Sequence, residues 1–142
     1  MHQLKTTVIM LCSALLLASC EKATLSENDT DTITGTWNWQ RTDGGLAAHI
    51  HETPQSSGVQ KKVEFTADGR YRWFTNNVET AQGTYTLQQQ ACIHDGKQKS
   101  WIRFSAHPEQ NRLVEVLESN VLLLSDEAHD GLQDQYTRIP NK

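Results

Sequence analysis

Cysteine, proline and charge of one sign are all scarce in this sequence, and the charge balance excludes one class of partner. The 142 residues include 3 Cys and 3 Pro, and 13 Lys and Arg stand against 17 Asp and Glu, giving a net charge of −4. Nucleic acids and anionic lipid surfaces attract proteins through clustered basic residues, which this composition does not supply. We therefore expect no nucleic-acid partner.

The apolar run near the amino terminus is too short to cross a membrane. Residues 8–17 (VIMLCSALLL) form a run of ten, whereas a membrane-spanning helix needs roughly 20. Lys5 precedes this run and small residues follow it, which is the order of a secretory signal peptide that is removed in the mature protein. The sequence therefore predicts an exported protein.

The end of this run carries a more specific pattern. Leu17-Ala18-Ser19-Cys20 resembles the lipobox of bacterial lipoproteins. The resemblance implies that residues 1–19 are a lipoprotein signal peptide and that Cys20 becomes the lipidated first residue, carrying a diacylglyceryl thioether and an N-acyl chain. It also implies a lipid-anchored protein of the bacterial cell envelope, and Glu21 after the cysteine favours the outer membrane. The alternative is an ordinary signal peptide with an unmodified Cys20.

The rest of the sequence predicts a tether followed by one domain. Residues 20–32 are polar apart from one leucine, so we expect the lipidated cysteine and a flexible tether there, with the folded domain over 33–142. Once Cys12 leaves with the signal and Cys20 is acylated, Cys92 has no partner for an intramolecular disulfide. We expect Cys92 to be a buried apolar residue on a strand.

The domain shows a period of two, the signal of β-strands, with frequent turn residues between the apolar pairs. Asp68-Gly69, Asn76-Asn77, Asp95-Gly96 and Ser119-Asn120 are the predicted tight turns. We predict an all-β fold, an eight-stranded antiparallel up-and-down barrel, because consecutive hairpins must hide their edges. A two-sheet β-sandwich is the alternative. The eight predicted strands span 33–40, 61–66, 70–75, 83–89, 100–105, 112–118, 121–125 and 135–139.

Several motifs, in their order, resemble those of small bacterial lipocalin-like lipoproteins. They are Gly35-Thr36-Trp37 at the first strand, 65–71 (FTADGRY), Gly83-Thr84-Tyr85, Leu122-x-Leu124, and Tyr136-Thr137-Arg138 at the last strand. The resemblance implies a lipocalin-like barrel in which Trp37 plugs one end and packs against Arg138. It further implies a ligand pocket at the other end, which short strands would keep shallow. The candidate lining residues of this pocket are Trp39, Phe65, Tyr71, Trp73 and Tyr85.

Catalytic and metal signatures are weak. No Gly-x-Ser-x-Gly elbow, phosphate-binding loop or dinucleotide glycine motif is present, so we expect neither an enzyme nor a cofactor. His49 and His51 are weak candidates for metal ligands, because residues two apart share one face of a strand. No third ligand is identifiable, and the alternative is a pair of solvated histidines on a loop.

Three functions follow from the sequence. The first is a lipid-anchored lipocalin-like envelope protein that binds a small apolar or amphipathic ligand. The second is a barrel scaffold for protein contacts, as a subunit of an envelope complex or an inhibitor. The third is a metal-dependent site or enzyme built on the two histidines. The expected partners are thus the membrane, through Cys20, with a small ligand or an envelope protein.

Overall fold

The structure, a computed structural model, describes residues 33–140. The predicted signal peptide, the lipidated Cys20 and the polar tether lie outside the described residues. Within 33–140, no helix is both long enough and apolar enough to span a membrane.

Nine strands make up nearly all the regular structure of the described residues. They are β1 (Gly35–Gly44), β2 (Ile50–Glu52), β3 (Lys61–Phe65), β4 (Arg70–Thr75), β5 (Val78–Ala91), β6 (Gln98–Phe104), β7 (Arg112–Leu117), β8 (Val121–Ser125) and β9 (Leu132–Ile139). One short helix, α1 (Pro54–Ser57), lies between β2 and β3. Two single turns of 3₁₀ helix, at Leu46–Ala48 and Pro108–Gln110, complete the set.

Strand β1 closes the sheet into a barrel. It pairs antiparallel with β9 from Thr36 opposite Ile139 to Gly44 opposite Leu132. On its other side, the first half of β1 pairs with β3 and the last residues pair with β2. The remaining strands follow one another as antiparallel hairpins from β3 to β9. The predicted eight-stranded up-and-down barrel is therefore confirmed, with β2 as one extra strand, and the two-sheet sandwich is wrong.

The tight turns owe their shape to residues that tolerate a left-handed backbone. Asn76 and Asn77 have φ of 49° and 64°, the pair of positive values that a type I′ hairpin turn requires. Gly69 and Gly96 have φ of 77° and 68° at the β3–β4 and β5–β6 connections. The second strand of the Asn76-Asn77 hairpin, β5, is 14 residues long and so exceeds the predicted strand at 83–89. It is longer because it pairs first with β4 and then with β6.

Inward side chains fill most of the barrel. Two apolar clusters lie on opposite faces of β6 and β7, because Ile102 belongs to the main cluster and the adjacent Trp101 to a smaller one with Leu113 and Cys92. Cys92 is 2% exposed, so the predicted burial is found, but the residue begins the turn directly after β5 and does not lie on a strand. The fully buried side chains of the main cluster include Ile33, Trp37, Trp39, Val63, Phe65, Tyr71, Ile102, Leu122 and Leu124.

Candidate functional site

The barrel has one end closed by Trp37 and Arg138. Trp37 has no exposed surface, and its indole Nε1 donates a hydrogen bond of 2.7 Å to the carbonyl of Ile33. The guanidinium carbon of Arg138 lies 4.1 Å from the centre of the Trp37 ring, which is a cation–π contact. Arg138 also donates to the carbonyls of Thr34 and Ser119. We call Trp37 and Arg138 the closed-end plug.

The backbone and surroundings of Gly35 explain why the Gly-x-Trp motif has a glycine at this position. Its φ is +134°, a value that L side chains rarely adopt. A Cβ atom at this position would lie 2.5 Å from Nη1 of Arg138. The glycine therefore leaves the space in which the guanidinium lies over Trp37.

The opposite end of the barrel is open and holds a cavity of about 370 Å³. Its lining includes Lys61 at the start of β3, Thr75 at the end of β4 and Arg112 at the start of β7. Trp73 and Tyr136 form the apolar part, and their rings meet edge to face at 6.4 Å. The other lining residues are Thr80, Ala81, His107, Gln110 and Asp134. We call this space the open-end cavity.

Of the five aromatic residues predicted for the pocket, Trp73 lines the open-end cavity. Trp39, Phe65, Tyr71 and Tyr85 are at most 5% exposed and belong to the core. Phe65 packs edge to face on Tyr85 with a centroid distance of 4.9 Å, and these rings fill the barrel below the cavity. The cavity is therefore shallow, because these aromatic rings fill the barrel beneath it.

Trp39 is held away from the cavity by its own hydrogen bond. The register shift between Trp39 and Arg41 turns Thr42 toward the interior. Nε1 of Trp39 donates to the Thr42 hydroxyl at 3.0 Å, and that hydroxyl donates to the Asp134 carboxylate. Lys61 covers the Trp39 ring, with Nζ 4.2 Å from its centre. A chain of polar contacts thus leads from the buried indole to a carboxylate of the cavity.

The cavity carries more positive than negative charge. Lys61 and Arg112 contribute two cations, and Asp134 contributes the one carboxylate among the described lining residues. Lys61 lies 3.5 Å from Glu52, a half-exposed carboxylate outside the lining. Arg112 donates to the carbonyl of its neighbour Asn111 at 3.1 Å, and it forms no ion pair with any carboxylate of residues 33–140. The lining residues therefore carry a net positive charge although the whole chain is negative, and Glu52 beside Lys61 balances part of that charge.

Tyr136 lies at the bottom of this charged rim. Burial raises the pKa of its phenol well above the ordinary value, and nearby Asp134 raises this pKa further while Arg112 lowers it. The phenol is therefore neutral at physiological pH. On the other side of the apolar floor, the indole Nε1 of Trp73 is enclosed without an acceptor among the described residues.

Sequence reasoning did not assign Lys61, Arg112, Asp134 or Tyr136 to the site. Strand alternation carried a signal for two of them: Lys61 is in phase with the buried Val63 and Phe65, and Asp134, just before the predicted strand 135–139, is in phase with Tyr136. Charged residues at strand ends usually face solvent, so the alternation pattern alone does not place these side chains inside the barrel.

The two weak metal candidates do not come together in a metal site. Nδ1 of His49 lies 2.6 Å from the carbonyl of Leu46, and Nδ1 of His51 lies 2.5 Å from a carboxylate oxygen of Asp43. His49 precedes β2, and His51 is exposed within it. Among residues 33–140, no group of three or more His, Cys, Asp or Glu side chains could hold a metal ion.

A second cavity, of about 320 Å³, lies between the 126–131 loop and the end of β1. The 92–97 turn reaches this loop, because the amide of Ile93 donates to Glu127 at 2.6 Å. The rings of His94 and His129 meet edge to face at 5.6 Å. This space lacks an aromatic floor, so we regard it as a seam between two loops.

Comparisons with known protein families, with curated proteins and with solved structures find no match to this chain.

Proposed function

We propose that this chain is a lipid-anchored lipocalin-like protein of the bacterial cell envelope, which binds a small amphipathic ligand in the open-end cavity. The lipobox at Leu17–Cys20 supports the lipid anchor and, with Glu21, the outer-membrane location. One observation carries the binding function. The barrel is filled below Trp73 and Tyr136 but keeps a cavity above them that joins an apolar floor to a polar rim.

The cavity volume limits the ligand. A space of about 370 Å³ lies at the small end of the range for ligand pockets, roughly 300–1,000 Å³. The filled barrel below has no room for a long acyl chain. We therefore propose a compact ligand with an apolar body and one polar end, and no resident cofactor.

Protein contact is the second candidate function, favoured by two exposed apolar side chains. Leu46, in the 3₁₀ turn after β1, and Val78, the first residue of β5, are 73% and 66% exposed at the open end of the barrel. Native mass spectrometry of the protein extracted from its own envelope separates the two functions. A co-purifying small molecule supports ligand binding, whereas a co-purifying protein with an empty cavity supports the scaffold.

A cavity-filling variant tests the ligand site directly. Ala81→Phe would place a ring in the cavity, and Thr86→Phe would place the same ring on the outer face of the same strand, where Thr86 is exposed. We expect Ala81→Phe to abolish the co-purifying ligand and Thr86→Phe to retain it. Loss from both variants, or from neither, would contradict this location.

The lipid anchor is tested by metabolic labelling with palmitate in the native host. We expect the wild-type chain to carry label and Cys20→Ala to carry none, because the thiol that forms the thioether is gone. An unlabelled wild-type chain would show that the lipobox resemblance is misleading.

A further inference from the structure

The charges of the open-end cavity restrict its ligand more than its shape does. We infer that the ligand is a small carboxylate with an apolar body, bound through its carboxylate to Arg112 and through its body against Trp73 and Tyr136. This inference rests on the proposed function and names the ligand class for that same cavity.

Arg112 carries the first step, because its guanidinium lines the cavity with most of its donors unused. A guanidinium has five N–H donors, and the described contact of Arg112 occupies one, on the carbonyl of Asn111. The side chain is half-buried, so water replaces the missing partners incompletely. A carboxylate could accept two parallel hydrogen bonds from this planar group.

The nearest carboxylate of the protein does not meet this need. Asp134 lines the same cavity and forms no ion pair with Arg112, and one of its oxygens accepts the Thr42 hydroxyl. Because that hydroxyl is itself held by Trp39, the position of Asp134 is set from the core. Asp134 therefore leaves the Arg112 guanidinium able to pair with an anion from outside the protein.

Lys61 adds to the preference for an anion. Its ammonium lies over the Trp39 ring and 3.5 Å from the half-exposed Glu52, and with Arg112 it gives the lining two cations against one carboxylate. An ammonium ligand would meet this net positive charge, and an uncharged ligand would leave Arg112 without its ion pair. The apolar floor then selects a carboxylate with an aromatic or branched aliphatic body rather than a bare inorganic anion.

Three probes that share a phenylpropyl group and differ in their polar end separate the effect of charge from that of shape. They are 3-phenylpropionate, 3-phenylpropanol and 3-phenylpropylamine. Calorimetric titration would use the full chain in lipid nanodiscs, with empty nanodiscs as the blank. We expect the carboxylate to bind about tenfold or more tightly than the alcohol, because a charge-assisted bidentate contact is gained. The amine should bind most weakly.

Two matched variants assign the effect to Arg112. Arg112→Met keeps an unbranched apolar stem without the guanidinium and should lower carboxylate affinity to that of the alcohol, leaving alcohol affinity unchanged. Arg70→Met removes the same charge from an exposed position outside this cavity and should change neither affinity. If Arg112→Met does not fold, salt still tests in the wild type whether the preference is electrostatic: screening should weaken carboxylate binding several-fold and leave alcohol binding unchanged.

The outcomes separate this inference from the proposed function. Binding of the alcohol without a preference for the carboxylate, a preference for the amine, or a preference that survives in Arg112→Met would each overturn the carboxylate ligand and leave a ligand cavity. If none of the three probes binds, the carboxylate ligand is wrong, and the ligand-binding function is decided separately by the ligand that co-purifies with the wild type and its loss in Ala81→Phe.

Discussion

Replacement of Trp37 by alanine should remove most of the stability of this barrel. The indole is fully buried, donates a hydrogen bond to Ile33 and lies under the guanidinium of Arg138. Truncation of a buried tryptophan costs about 3–5 kcal/mol, to which the lost hydrogen bond and the lost cation–π contact add about 1 kcal/mol or more. We expect a loss of about 4–6 kcal/mol, against a total stability of about 5–15 kcal/mol for a domain.

Urea unfolding followed by circular dichroism measures this loss. With a slope of about 1.5 kcal/mol/M, the midpoint should fall by about 3 M. Trp73→Ala is the matched control, because Trp73 is half-buried at the open end and its Nε1 has no described acceptor to lose. We expect about 1–2 kcal/mol for that variant.

The reasoning fails if the two variants lose the same stability. Should Trp37→Ala not fold at all, Trp37→Phe keeps a ring over which Arg138 can lie but loses the donor to Ile33. The urea midpoint of Trp37→Phe should then be lower than that of the wild type and close to that of Trp73→Ala. A Trp37→Phe chain as stable as the wild type would contradict the role given to the indole N–H.

Two further predictions concern the backbone of the plug and the buried phenols. Gly35→Ala should destabilise by about 2 kcal/mol more than Gly96→Ala in urea, because alanine adopts the φ of +134° at Gly35 less readily than the +68° at Gly96 and because a Cβ at Gly35 also displaces Arg138; equal losses would contradict this reasoning. Burial raises the pKa of all three tyrosines, so above about pH 10 the unfolded chain releases phenol protons that the folded chain keeps. The free energy of unfolding should therefore fall as pH rises above about 10, by up to about 1.4 kcal/mol per pH unit for each tyrosine. Tyr136→Phe should reduce that slope by about one tyrosine's share, and an unchanged slope would show that its phenol ionises in the folded barrel.

Local sequence signals predicted the hairpins, because a turn with positive φ depends on the residues inside it. Asn76-Asn77 and Asp68-Gly69 are such cases, and the strands beside them alternate as the pattern indicated. The short strand β2 was missed, since its three residues carry no alternation long enough to detect. Its pairing depends on the place of β1 in the finished sheet.

The position of each inward side chain along the barrel axis could not be predicted from the sequence. Trp39 and Trp73 both follow the inward phase of their strands, yet Trp39 is buried and Trp73 lines the cavity. What separates them is the register between strands and the shift after Trp39, both of which are set by residues far apart in sequence. The same non-local register brings Arg112 and Asp134 to one cavity.

The pairing of β1 with β9 has a consequence for how the chain folds. The first and last strands of the described barrel lie side by side along their whole length, and Arg138 bonds to Thr34 across a separation of 104 residues. The hairpins can form as soon as their own residues are available, but closure must wait until β9 has emerged. High contact order of this kind slows folding. A chain that crosses a membrane before it folds would therefore stay open, with unpaired edges, until translocation is nearly finished.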